Sequence, residues 1–100
     1  MQLIAIPYDR GIRLVRVEQI VRVEGQSNYS KIHFASGDPM TVAKVLHWFE
    51  MHLPMELFAR VHRSHLVNKM FVQEINGLNY SNLLLTNGES IAISRRKNCC

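Results

Sequence analysis

The segment Phe58-Ala59-Arg60-Val61-His62-Arg63-Ser64-His65-Leu66-Val67-Asn68 packs two arginines, two histidines, a serine and an asparagine among apolar residues. The apolar residues alternate at the period of a strand, so apolar side chains face a core while polar ones line the other side. Guanidinium groups offer planar forks of donors, and the hydroxyl, amide and imidazoles add donors and acceptors. Held where a stiff strand enters a turn, such groups suit a partner that is polar, anionic and patterned. Ser94-Arg95-Arg96-Lys97 adds three more positive charges in a row.

Other chemistries fit these residues poorly. The five histidines, His33, His47, His52, His62 and His65, have no cysteine at metal-ligand spacing, and an arginine inside His62-Arg63-Ser64-His65 would repel a cation. Ser64, His62 and Glu74 make a nominal Ser/His/acid set, but nothing resembles a nucleophile elbow. Gly11, Gly25, Gly37, Gly77 and Gly88 are isolated turn glycines rather than a phosphate cradle. Tyr29 and Phe34 alone do not make the paired aromatics of an RNA-binding sheet. The expectation is a binding module without catalysis, cofactor, metal or small-molecule substrate.

Charge distribution strengthens the case for an anionic partner. Residues 1–59 carry six Lys/Arg against six Asp/Glu, whereas residues 60–100 carry six against two. The whole excess of +4 therefore lies in the second part, where five of the six cations fall in the two basic motifs. That asymmetry favours an anionic partner, with plain solubility as the competing explanation of the charge.

The chain that must position these groups has 100 residues, 47% of them hydrophobic, enough for one domain with a real core. No apolar run of about 20 residues is present to cross a membrane. The N-terminal residues lack a signal peptide's basic start and cleavage site. The two cysteines, Cys99 and Cys100, are adjacent, which fits a reducing cytoplasm.

Period-two apolar patterning predicts strands at Leu3–Ile6, Ile12–Val17, Val21–Glu24, Tyr29–Phe34 and Met40–Val42. Further strands are predicted at Phe71–Ile75, Asn82–Thr86 and Ser90–Ile93, the last two joined across Asn87-Gly88. Glu18-Gln19-Ile20 reads as one helical turn. One amphipathic helix is predicted over about residues 42–53, with Val42, Val45, Leu46, Phe49 and Leu53 on one face and Pro54 stopping it. Trp48 belongs at the edge of that face. No βαβ alternation, repeat or linker is visible, so residues 1–100 read as a single mainly β, antiparallel domain.

Five pieces, in this order, resemble the LytTR family of bacterial DNA-binding domains. They are Val23–His33, Leu53-Pro54, the Phe58–Asn68 segment, Asn87-Gly88-Glu89 and Ile93–Lys97. The resemblance implies an elongated stack of short antiparallel sheets with little helix. It implies a transcription regulator, usually the output domain of a response regulator, that binds direct-repeat sites as a dimer on DNA. It also implies contact loops that enter successive major grooves. Carried onto this sequence, those loops are Asn28, Tyr29, Ser30 and Lys31 with Ser27; His62, Arg63 and Ser64; and Arg95, Arg96 and Lys97 with Ser94.

Chemistry assigns roles within that set. Arg63 and Arg95 suit guanine O6/N7, and Asn28 suits adenine in the same bidentate manner. Tyr29, Ser30, Lys31, Ser64, Arg96 and Lys97 suit phosphates. Arg60 reads as a brace, and His62 and Asn68 read as structural polar groups that shape the turn. The competing expectation is a protein-interaction or regulatory domain of the same fold that has lost DNA binding.

Overall fold

Residues 2–93 are described by the computed structural model, which arranges ten strands into three antiparallel sheets. Ile4 and Ile6 alternate with exposed neighbours in β1 (Leu3–Tyr8), which pairs with β2 (Gly11–Arg16). The turn between them, Asp9-Arg10, has φ of 50° and 68°, the left-handed pair that a tight hairpin requires. Pro7 does not break β1 as its residue type suggests. This sheet has only two strands, so a proline without an N–H is tolerated at a free edge.

The central sheet has the order β5-β4-β3-β7-β6. Its strands are β3 (Ile20–Gln26), β4 (Tyr29–Phe34), β5 (Met40–Val42), β6 (Phe58–His62) and β7 (His65–Asn68). A register shift between Ile20 and Arg22 lets β3 serve both faces. Ile20 and Val23 join one core, while Val21 joins the other. A bulge re-aims side chains in this way at the cost of one ladder bond.

The first core is closed by the β1–β2 hairpin and by α1 (Leu46–His52), whose Leu46 and Phe49 are buried. Full burial of a side chain such as Phe49 stabilises by about 1.5–3 kcal/mol. The helix is shorter than the expected 42–53. Val42 pairs with Ser30 as part of β5, and Val45 is extended, with φ −72° and ψ 162°. Three residues with strand preference, Met40, Thr41 and Val42, gain ladder bonds at the sheet edge that a frayed first helical turn would lack. The C-terminal boundary follows Pro54, because Leu53 is extended as a residue before proline must be.

The second core lies on the opposite face of the central sheet. Val21 and Val67 pack there against Leu83, Leu85 and Ile91 of the third sheet. Its strands are β8 (Val72–Asn76), β9 (Asn82–Leu85) and β10 (Ser90–Ala92). Asn87-Gly88 joins β9 to β10 as expected, Gly88 taking φ of 93°. The expected helical turn is a 3-10 turn at Val17–Gln19. Stacking three sheets in sequence gives an elongated body of 44 × 24 × 22 Å.

Candidate nucleic-acid interface

Because β3 runs antiparallel to both β4 and β7, the β3–β4 and β6–β7 hairpins turn at the same end of the central sheet. Across the sheet the two turns are offset by two inter-strand spacings, about 10 Å, and the first projects further along the strand axis. Ser27-Asn28 forms the first tip, with Ser27 at φ 57° and Asn28 exposed. Tyr29, 42% exposed, pairs with Gln26 at the last rung of the ladder.

Residues opposite one another in register share a face, so a polar row crosses four strands just below the tips. It consists of Lys31, Glu24, His65 and His62. Ser30 falls on the other face. It is fully buried, and its hydroxyl donates to the Lys44 carbonyl at 2.7 Å. The sequence-based assignment of Ser30 to a phosphate therefore does not fit this geometry. Strand alternation that sets Tyr29 and Lys31 on the opposite face turns Ser30 inward.

The second tip, Arg63-Ser64, is held through its backbone. Ser64 N–H donates to His62 Nδ1 at 3.1 Å, and Gly25 N–H donates to the Ser64 carbonyl at 2.9 Å. Arg60 donates from Nε to the His62 carbonyl at 3.2 Å and from Nη2 to the Arg63 carbonyl at 2.6 Å. Its Nη1 donates to Glu50 Oε1 of α1 at 2.8 Å. Thus the Arg63 side chain is exposed on a backbone fixed by its neighbours. Arg60 braces and His62 shapes the turn, the roles their positions suggest. Asn68 is also structural: fully buried, it donates to the Ile20 carbonyl and accepts from Met70 N–H, both at 2.9 Å.

Behind the row lies an ion network that the sequence reading missed. Arg22, nearly buried, reaches Glu89 Oε1 from Nε at 3.1 Å and Glu89 Oε2 from Nη2 at 3.2 Å. Its Nη1 lies 3.5 Å from Glu24 Oε1, which is also 3.2 Å from His33 Nε2. The bonds from Arg22 hold the Glu89 carboxyl below the usual carboxylate range, against the effect of burial. Burial pushes the Glu24 carboxyl up, but the His33 bond and the Arg22 charge outweigh it and the net shift is downward. Burial, then Arg22 and His62, keep the His65 imidazole below its ordinary value. Arg22 and Glu24 stand two residues apart, which in a strand places both on one face. That spacing was the available signal, whereas Glu89 is remote in sequence and carried none.

Of the sequence-derived set, Asn28, Tyr29, Lys31, His62, Arg63 and Ser64 gather at this end of the central sheet. Arg95, Arg96 and Lys97, with Ser94, lie outside the described residues. Among the described residues no group of His, Cys, Asp or Glu is arranged to hold a metal ion. No helix there is long and apolar enough to cross a membrane.

Residues 10–98 match the family model described as the LytTr DNA-binding domain. A similar solved structure is the LytTr DNA-binding domain from a Bacillus cereus protein described as a methyl-accepting/DNA response regulator. The two are 24% identical, with a TM-score of 0.76, over 94% of this chain and 87% of that one. No curated protein matches the chain.

Proposed function

The chain belongs to the LytTr DNA-binding domain family, and from that premise we propose that it is the sequence-reading module of a bacterial transcription regulator, acting on double-stranded DNA without catalysis. The observation that carries this reading is the shared position of the Ser27-Asn28 and Arg63-Ser64 tips. The tips are offset by about 10 Å across the sheet, which is of the order of the major-groove width of about 12 Å, so one stretch of duplex can meet both. The body is 44 Å long, more than one helical turn of about 34 Å. That length is compatible with contacts in successive major grooves.

In this reading Arg63 pairs with guanine O6/N7 and Asn28 with adenine. Tyr29, Lys31 and Ser64 hold phosphates and set register. On the family resemblance Arg95 is a second base reader, with Arg96 and Lys97 on the backbone. Ser30 and His62 support these side chains from inside the scaffold. Binding occurs as a homodimer on direct-repeat sites, inside the cytoplasm.

The test is selection from a pool of random duplexes, followed by gel-shift titration of the selected duplex at two salt concentrations. Affinity should fall at least about tenfold between about 50 and 200 mM salt, the response expected when two or more phosphates are covered. Selection of no sequence, with a flat salt response, would leave a protein-interaction domain of the same fold as the better reading.

A further inference from the structure

We propose that Glu50 and Arg60 form a positioning clamp through which α1 fixes the Arg63 turn in the shape that reads DNA. The inference rests on the DNA-binding reading above and adds two residues that do not themselves touch the duplex.

The clamp arises from an irregularity in the ladder. Pairing between β6 and β7 shifts register between Arg60 and His62, so the turn leaves the regular hydrogen-bonding pattern before Arg63 is reached. Carbonyls at such a place need donors from elsewhere. Arg60 supplies them: Nε serves His62 and Nη2 serves Arg63, at 3.2 and 2.6 Å. The third nitrogen, Nη1, meets Glu50 at 2.8 Å. All three guanidinium nitrogens are therefore engaged, leaving Arg60 poorly suited to a phosphate or a base edge.

Glu50 supports the same conclusion from the other side. A carboxylate near a surface for a polyanion opposes binding through space. This one faces a guanidinium and stands on a helix whose Leu46 and Phe49 are anchored in the first core. The ion pair thereby ties the turn to a rigid element. Gly25, whose N–H holds the Ser64 carbonyl, lies where an added Cβ would stand 3.1 Å from Leu46 Cβ, so helix and turn meet the same rung of β3.

The experiment compares the full chain with Glu50→Gln, Arg60→Gln, Arg60→Lys and the Glu50→Gln/Arg60→Gln double variant. The probe is the duplex that the unaltered chain selects, and urea midpoints establish the folded fraction of each variant. Removing an acid should strengthen binding if only long-range charge matters. The clamp requires the reverse, a loss of about two- to fivefold for Glu50→Gln, the size of one exposed ion pair.

Arg60→Gln should lose about tenfold or more, the size of charge-assisted bonds to backbone acceptors. The salt slope should stay unchanged in both, because no phosphate contact is removed. Arg60→Lys should not restore binding, since an ammonium cannot reproduce the planar fork. The double variant should be no worse than Arg60→Gln alone. Equal or tighter binding by Glu50→Gln, rescue by Lys, or a slope reduced by about one unit would each overturn the clamp while DNA binding stands. If the unaltered chain itself selects no duplex, the DNA reading fails and the clamp falls with it.

Discussion

Arg63 occupies a two-residue turn whose backbone is fixed from both sides, while its own guanidinium extends into solvent. Such a side chain loses little backbone freedom on binding and can be aimed. Arg63→Ala should weaken the selected duplex by about 1–3 kcal/mol and flatten preference at one base pair in a specificity profile. Equal weakening on every sequence would make Arg63 a phosphate contact instead. Asn68 belongs to the same scale and answers to a different measurement. Asn68→Ala leaves the Ile20 carbonyl and the Met70 N–H without their partner, so urea unfolding should show a loss of about 1–3 kcal/mol. An unchanged midpoint would mean that water takes over both groups. The structural role of Asn68 is legible in the sequence because an amide inside a strand has few uses besides bridging backbone groups. Ser30 was misread because a hydroxyl serves a buried carbonyl as readily as a phosphate.

Elements explain why the tips sit where they do. Strand spacing, hairpin connectivity and the antiparallel neighbours of β3 bring turns near residues 28 and 63 to one end. Gly25 permits the close approach of α1 at that end. Gly25→Val should force Leu46 away and reduce stability by about 1–3 kcal/mol in thermal or urea unfolding. An unaffected protein would show that the helix can shift without loss. Strand positions were legible because alternation is a local signal. The start of α1 was not, since Val42 satisfies helical spacing and edge-strand pairing equally well. The choice is made by Ser30, its partner across the β4–β5 ladder.

At the scale of the whole molecule, Arg22 links the central sheet to the β9–β10 turn through Glu89, and its charge also reaches His65 and Glu24. Stability should therefore fall in two steps on acidification. The folded His65 imidazole titrates below its ordinary 6.5. Its contribution is complete above that value and declines as pH drops, because the unfolded chain takes the proton first. Glu24 and Glu89 titrate below 4.5 in the folded chain, so a second decline begins as pH passes below that value. Urea midpoints at about pH 8, 5.5 and 3.5 should decrease in that order. His65→Gln should flatten the first step, and Glu89→Gln should reduce the second, to which Glu24 also contributes. A midpoint that does not change between the upper two conditions would sink the assignment to His65.

Sequence alone determined the mainly β class, most strand positions, the stop at Pro54 and the residue types at two tips, because periodicity and turn chemistry act over a few neighbours. The Phe58–Asn68 pattern also sufficed to suggest the family. Tertiary structure decided which polar groups those tips retain for a partner. It turned Ser30 inward, joined Arg22 to Glu89 across 67 positions and brought Glu50 to Arg60. These pairings depend on register between strands and on the seat of a helix, and neither leaves a local trace in the order of residues.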